Sequence, residues 1–403
     1  MLVIYDLIVI LIAAFYLPRL FLKKKFHRDI WQRIGFYPPE LRAQGAIWLH
    51  AVSVGEVAAI KPLWEAIRKE YPGAKIVVST ITQTGNDLAR RFAREGEVVF
   101  YLPLDLRIIV EQVLRRVDPR IVIIAETEIW PNLIGCAFRK NIPVMIVNGR
   151  ISDRAYPRYY LARSIFGRIL RKISGICARS EDDRKKFIAL GVSPARVQIT
   201  GNIKYCDPAL RAVLDLRAIR ARYAIGEADT VIMAGSTHKG EEEILLDLFR
   251  SLRRDVGGLH LIIAPRRIER CDEITRLAAG LPVTIIDTFG VMKELYAIAD
   301  IAFVGGSLVE HGGHNIIEPA LFAKPVIFGP HMFNFKDIAE EFLKSGAAVL
   351  VRDAHELEIA CRRLLKSKDE RYRLGANAKA VVLRNQGALA ATMDEVRKVL
   401  AHG

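Results

Sequence analysis

The sequence predicts an α/β protein built from two Rossmann-like, doubly wound domains facing each other across a cleft. Three observations carry that prediction. At 403 residues the chain is too long for one ordinary domain and suits two of near-equal size. A composition 51% hydrophobic and 26% charged fills two buried cores and argues against extended disorder. From Ala46 onward, short β-branched runs alternate with amphipathic stretches, the pattern of parallel strands joined by helices on both faces of a sheet.

At the amino end, Leu2 to Leu17 are almost all apolar, interrupted by Asp6, and Arg19, Lys23, Lys24, Lys25 and Arg28 follow. A full bilayer span takes about 20 apolar residues, so this run is short. Its positive charge follows the apolar run and no small-residue cleavage site is evident, which is the wrong order for a secretory signal. Basic residues directly after an apolar segment stay on the cytoplasmic side. Residues 1–28 are therefore expected to form an uncleaved N-terminal membrane-anchor helix with a basic flank, either a tilted short span or a helix in the interface. An ordinary buried helix is the alternative, and under either reading the bulk of the chain is cytosolic.

Apolar runs at Ala46–Val52, Lys75–Thr80, Val98–Leu102, Arg120–Ala125 and Pro143–Val147 read as buried parallel strands. Helical patterns at Val57–Tyr71, Asn86–Ala93, Leu106–Val117 and Ile129–Asn141 separate them. A more polar, helix-rich stretch around residues 203–227 follows, and the same grammar restarts. Strands are expected at Val231–Gly235, Leu259–Ala264, Val283–Ile286, Ile301–Gly305, Pro325–Gly329 and Ala347–Val351. Helices from Ala354 to Leu400 finish the second domain, with room to cross back to the first. The expected domains are residues 29–205 and 206–403.

A net charge of +15 calls for a polyanion, an anionic membrane or phosphate-bearing substrates. Nucleic acid is not the expected partner. The basic residues are dispersed, with no zinc-finger spacing and no aromatics set among them. Cys136, Cys177, Cys206, Cys271 and Cys361 lie far apart with no paired spacing, as expected of reduced thiols in a cytosolic compartment.

Ligands of doubly wound sheets bind beyond the carboxyl ends of the strands, so the residues just after each strand are the informative ones. The first strand ends in His50-Ala-Val-Ser53-Val-Gly55-Glu56 and a helix follows at once. Gly55 would let the chain turn sharply, and the helix amides would favour an anion. A carboxylate there could take a proton from a substrate hydroxyl. Helix capping by Glu56 and Ser53 fits the spacing equally well. The fourth strand ends in Glu126-Thr-Glu128-Ile-Trp130-Pro-Asn132, where two carboxylates could hold their pKa values apart, clamp a basic partner, or cap the next helix. Thr200–Lys204 closes a later strand with a lysine directed at the expected cleft.

In the second half, Gly235–Glu242 resembles a phosphate-cradling turn without Walker spacing. Pro265-Arg266-Arg267 can pair with phosphate or stack on a base. Gly305–Pro319 is rich in glycine and polar residues, so its backbone could approach a ligand closely, and Glu318 suits ribose hydroxyls. No Asp-x-Asp occurs and the histidines lack zinc spacing. No metal and no cofactor are expected, which leaves amides, lysine and arginine to stabilise a departing phosphate.

With these motifs in view, the chain resembles the 3-deoxy-D-manno-octulosonic acid (Kdo) transferases of the Gram-negative inner membrane over nearly its full length. The resemblance rests on the anchor with its basic flank, Arg33–Tyr37, His50–Glu56, Glu126–Asn132, Thr200–Lys204, Ser236–Glu242, Gly305–Glu318 and Gly329–Phe335. It implies a GT-B glycosyltransferase, metal-independent and inverting, at the cytoplasmic face of the inner membrane. That enzyme would move Kdo from CMP-Kdo, its donor substrate, onto a lipid A precursor (lipid IVA). By the same resemblance, Glu56 is the base, and Glu126 and Lys204 stabilise the transition state. Pro265 and Arg266, then Phe289, Gly290 and Val291, then Asn315, Ile316, Ile317 and Glu318 are the CMP-binding segments. Two departures stand out. Gln32 replaces a glutamate the family often carries, and Phe289–Val291 replaces Met-Gly-Glu, so only Gly290 carries over firmly. Two other readings remain open at this point: a GT-B protein using a UDP-sugar, and a membrane-tethered binding protein with a degenerate cleft.

Overall fold

Strands that are apolar on both sides need a sheet covered on two faces, and parallel pairing through crossover helices supplies it. The computed structural model describes residues 5–7, 9–11, 29–153, 155–206, 214–288 and 290–402. The chain divides into two compact units, Met1–Asp207 with Asn385–Gly403, and Pro208–Arg384.

In the first unit, strands β1 (Ile47–His50), β2 (Ile76–Thr80), β3 (Val98–Tyr101), β4 (Ile121–Ala125), β5 (Val144–Gly149), β6 (Gly175–Ala178) and β7 (Val197–Ile199) form one parallel sheet. Their order is β3-β2-β1-β4-β5-β6-β7. Alternate residues feed opposite cores. Trp48, Val77 and Val122 enter one, while Leu49, Val78 and Ile123 enter the other. β6 was not among the expected runs, and β7 was expected only as the strand that Thr200–Lys204 closes. Gly175–Ala178 holds a single β-branched residue, and β7 is an edge strand with Gln198 and Ile199 exposed.

The second unit repeats the plan with β8 (Thr230–Thr237), β9 (Leu259–Pro265), β10 (Val283–Ile285), β11 (Ile301–Val304), β12 (Val326–Phe328) and β13 (Ala348–Leu350), in the order β10-β9-β8-β11-β12-β13. In each sheet the direction of strand addition reverses once, between β1 and β4 and between β8 and β11. A crevice opens at such a switch point because the flanking connections leave on opposite faces. Both switch points carry the motifs singled out in the sequence.

The second unit ends at Arg384, so residues 385–403, assigned above to the second domain, belong to the first. The cause is apolar. Helix Ala388–His402 lays Met393 and Val396 into the core shared by Leu49, Val57 and Ile60.

Most of the expected anchor, residues 1–28, lies outside the described residues. Among the described residues, no helix is long and apolar enough to cross a membrane. Tyr5–Leu7 and Val9–Leu11 contribute helical residues, and Leu7, Ile10 and Leu11 are exposed. The interrupting Asp6 is explained. Its Oδ1 accepts hydrogen bonds from Asn132 Nδ2 at 2.6 Å and from the Arg107 amide at 3.3 Å. Gln32 accepts the Tyr101 amide at 2.7 Å and so closes the end of β3.

One buried ion pair holds the second unit's helix Glu241–Leu252 to the segment after β9. Glu242 is fully buried, accepting from Thr237 Oγ1 at 3.0 Å and from Arg270 Nη1 at 2.7 Å. Removing one partner of a buried pair strands the other charge and costs about 3–5 kcal/mol. Arg270→Ala is expected to destabilise the protein by about that amount, read as a lower thermal midpoint. An unchanged midpoint would refute it.

Candidate active site

β1 delivers His50 to the first switch point. His50 is fully buried with Nδ1 2.8 Å from Ser79 Oγ, and burial pushes its pKa down to about 4. It is neutral near physiological pH and sits edge-on to Trp130. The chain turns at Ser53, which caps helix Val54–Glu70. Gly55 lies inside the first helical turn, with no positive φ and room for a Cβ, so the sharp turn expected of it is made by Ser53 instead.

Glu56 and Ser53 bond reciprocally. Glu56 N donates to Ser53 Oγ at 3.4 Å and Ser53 Oγ donates to Glu56 Oε1 at 3.2 Å. Oε2 accepts from the Val52 amide at 2.7 Å. The helix-cap reading is therefore realised. Yet burial outweighs the Val52 amide, and repulsion from Glu126 and Glu128 adds to it, raising the Glu56 carboxyl to about 7. One carboxyl both caps the helix and titrates where a general base works.

Glu126 follows β4 in the left-handed region, φ 55°, a strained geometry for a side-chain-bearing residue. Its Oε1 lies 2.8 Å from Lys204 Nζ. Burial pushes the Glu126 carboxyl up, but Lys204, and then Arg179 and Arg150, outweigh it and hold the group below the usual carboxylate range. Glu128 is raised by burial and by Glu126. Of the three alternatives for these carboxylates, Glu126 clamps a cation and raises Glu128, while helix Pro131–Arg139 takes no side-chain cap.

Lys204 is held by its backbone. The Ile203 amide donates to Asn148 Oδ1 at 3.2 Å, the Asn202 amide to Asn385 Oδ1 at 3.1 Å, and the Lys204 amide to Asn202 Oδ1 at 3.1 Å. Gly201, at φ 88°, passes the returning C-terminal segment so closely that a Cβ would meet Ala388 Cβ at 3.2 Å. Glu56, Glu126 and Lys204 thus converge in the first unit. Arg150, Arg179, Asn148 and Asn385 were not foreseen, since none lies in a run with an evident chemical pattern.

In the second unit, β8 carries an irregularity between Gly235 and Thr237 relative to β9, with Ser236 at φ 57°. Such a bulge re-aims the residues that follow. Of the Gly235–Glu242 turn read as a phosphate cradle, the His238 amide is taken by Glu241 and the Gly240 amide by Glu243 Oε2 at 2.9 Å. Glu241, fully buried, accepts the amides of Gly306, Ser307 and Leu308 at 2.7, 3.0 and 3.0 Å and that of His238 at 3.0 Å. The turn holds an anion, but the anion is the protein's own carboxylate, and those amides are not open to a ligand.

Pro265 ends β9 buried, and Arg266 follows it exposed, its amide bonded to Thr237 O at 2.9 Å. Phe289 lies outside the described residues. Gly290 has φ 91° with open space around it, and Val291 precedes helix Met292–Ile298. Ile316 and Ile317 are buried, so their side chains pack while only their backbone is left to serve a ligand. Asn315 and Glu318 come together, Nδ2 to Oε1 at 3.2 Å. His238, His311 and His314 gather beside Arg266, a grouping that no residue spacing reveals.

Residues 28–206 match the family described as 3-deoxy-D-manno-octulosonic-acid transferase (kdotransferase), and residues 221–381 match glycosyl transferases group 1. The 3-deoxy-D-manno-octulosonic acid transferase of Haemophilus influenzae is 35% identical over 93% of this chain and 92% of that one. The protein of the same name from Chlamydophila psittaci is 32% identical over 85% and 84%. The UDP-GlcNAc 2-epimerase of Neisseria meningitidis, solved bound to UDP-GlcNAc, superposes with a TM-score of 0.56 at 13% identity, covering 88% of this chain and 100% of that one. At that identity the likeness is one of fold, the GT-B-like pairing of two parallel-sheet domains.

Proposed function

This chain belongs to the 3-deoxy-D-manno-octulosonic acid transferase family of glycosyltransferases, and from that premise we propose that it moves Kdo from CMP-Kdo to a sugar hydroxyl of a lipid A precursor. The observation that carries the mechanism is the Glu56 carboxyl, lifted to about 7 at the first switch point beside the Glu126–Lys204 pair. Transfer is a single metal-independent displacement that inverts the anomeric centre. A CMP-linked sugar departs as a phosphomonoester, so the acceptor hydroxyl needs a base more than the leaving group needs an acid. Glu56 takes that proton. Glu126, held ionised, fixes Lys204 where its charge meets the anionic groups of the reacting sugar.

The second unit binds CMP through Pro265, Arg266, Gly290, Val291 and the Asn315–Glu318 turn, with Phe289 carried by the resemblance alone. The enzyme works at the cytoplasmic face of the inner membrane. Its charge of +15 and the apolar amino-terminal run support that placement, since a basic surface suits anionic lipid and a phosphorylated acceptor.

The test presents the lipid acceptor in anionic vesicles with labelled CMP-Kdo or UDP-sugars, and follows products by mass spectrometry. Kdo-bearing lipid from CMP-Kdo alone, made by vesicle-bound protein, is the expected result. Transfer only from a UDP-sugar would overturn the reading. The base must be deprotonated, so kcat/KM is expected to rise about tenfold per pH unit below the Glu56 pKa of about 7 and to level above it. A profile flat through that range would remove Glu56 from the role.

A further inference from the structure

Three histidines of the second unit have no part in the reading above. His238 follows the bulged end of β8, and His311 and His314 come from the loop after β11, so all three stand at the second switch point. Their rings stack. His238 lies over His311 with centroids 4.0 Å apart and planes 18° apart, and near-parallel to His314 at 5.2 Å and 7°. Gly306 backs them closely enough that a Cβ there would meet ring atoms of His314 at 3.0 Å and of His238 at 3.3 Å. Among the described residues no cluster of side chains that could hold a metal ion occurs.

His238 Nε2 and His314 Nε2 are 2.9 Å apart. Two ring nitrogens at that distance need one proton between them. One imidazole donates through Nε2–H, and the other accepts on a bare Nε2 and carries its proton on Nδ1. The donor ring then has a free Nδ1 lone pair. The pair can take one more proton there and no second one, because two facing N–H groups would repel.

The surroundings decide when that proton arrives. Burial, then His311 with Arg266, Arg267 and Arg270, pushes the His238 pKa down to about 4. Burial, His238, Arg266 and His311 do the same for His314. The carboxylates nearest by sequence and packing are engaged, Glu241 by four amides and Glu242 by Arg270. Lys239 and Glu310 on the flanking turns are exposed. Without a ligand the pair is neutral in a positive field. Burial is the larger cause and stays, but an anion beside Arg266 offsets the positive field and supplies a counter-charge that favours the protonated pair.

We propose that the His238–His314 pair, with Arg266, is a proton-coupled site for the phosphate that leaves as a monoester. This deepens the reading of the second unit as the CMP-binding domain and rests on it. In the transfer step the bond between the anomeric carbon and the phosphate oxygen breaks, and its electron pair stays on that oxygen. A new bond joins the acceptor oxygen to the anomeric carbon, and the acceptor proton goes to Glu56. The phosphate passes from a singly charged diester to a doubly charged monoester. One proton drawn from solvent onto the histidine pair balances the added charge. These histidines act on the leaving group through charge, and a neutral nucleoside gives them nothing to answer.

The test is calorimetry of the full-length protein with CMP and with cytidine near neutral pH, in buffers of differing ionisation enthalpy. The slope against buffer enthalpy gives the protons taken up. The expected result is uptake approaching one proton per CMP and none with cytidine. His314→Gln and His238→Gln are expected to abolish the uptake and to weaken CMP binding roughly 10–100-fold, leaving cytidine binding unchanged. CMP binding to the unmodified protein without proton uptake overturns the proposal while leaving the CMP domain in place. So does uptake that survives in both variants. Failure of the unmodified protein to bind CMP or cytidine overturns the CMP reading and the proposal with it.

Discussion

The Glu56→Gln protein is expected to fold, to bind CMP as the unmodified chain does, and to lose Kdo transfer by about 10²–10⁴-fold. Glutamine is the informative replacement because it separates the two tasks of this side chain. A Gln at the third helical position can accept from the Val52 amide with its one oxygen and donate through Nε2 to Ser53 Oγ, so the cap that opens helix Val54–Glu70 survives. It cannot take a proton at any working pH. A thermal midpoint close to that of the unmodified chain, together with the loss of turnover, assigns the effect to chemistry. Glu56→Ala would remove both tasks and lower stability by about 0.5–2 kcal/mol as well. Transfer retained by Glu56→Gln would leave the carboxyl as a helix cap only. The pH limb offers an independent check, since a base with its pKa raised to about 7 must leave its imprint there.

How much of this was legible beforehand follows from what periodicity can report. Strands such as Ile121–Ala125 and Leu259–Pro265 were read within a residue, because a strand buried on both faces is a continuous apolar run bounded by polar residues. β6 escaped because it is four residues long with a glycine at its start, and β7, half exposed at the sheet edge, showed only through the Thr200–Lys204 motif that closes it. The catalytic candidates were legible as places after strands but not as a cluster. Glu126 and Lys204 are separated by 78 residues, and β5 and β6 stand between β4 and β7; the chain after β7 turns back, with the Ile203 amide on Asn148 of β5, and so brings them to 2.8 Å.

The glycine-rich loop after β11 misled for the opposite reason. Its glycines suggest backbone open to a ligand, but the amides of Gly306, Ser307 and Leu308 are taken by Glu241, 65 residues earlier than Gly306. Local sequence reports that a nest exists and is silent on what fills it. Asn385 is the extreme case. It lies 183 residues from the Asn202 amide that it holds, on a segment whose return to the first unit is decided by buried methyl groups.

Lys204→Met should nearly abolish transfer and also destabilise the first unit, and the two effects have one origin. Methionine keeps much of the length and apolar stem of lysine, so the packing of the Ile203–Tyr205 turn is retained while the charge is lost. Glu126 is then left as a carboxylate only 22% exposed, with Arg179 and Arg150 but without its directly bonded cation. Losing one partner of a largely buried pair costs up to about 3–5 kcal/mol, with Arg179 and Arg150 moderating it here. Catalysis suffers separately, because a preorganised charge at the reacting centre is worth about 10²–10³-fold in rate. Glu126→Gln distinguishes the contributions. It removes the stranded charge, so Lys204→Met combined with Glu126→Gln is expected to regain most of the lost thermal midpoint. Turnover is expected to remain as low as in Lys204→Met alone, since neither the cation nor its anchor is present. Recovery of both stability and turnover in the double variant would show that Lys204 serves only to neutralise Glu126, and would take it out of the chemistry.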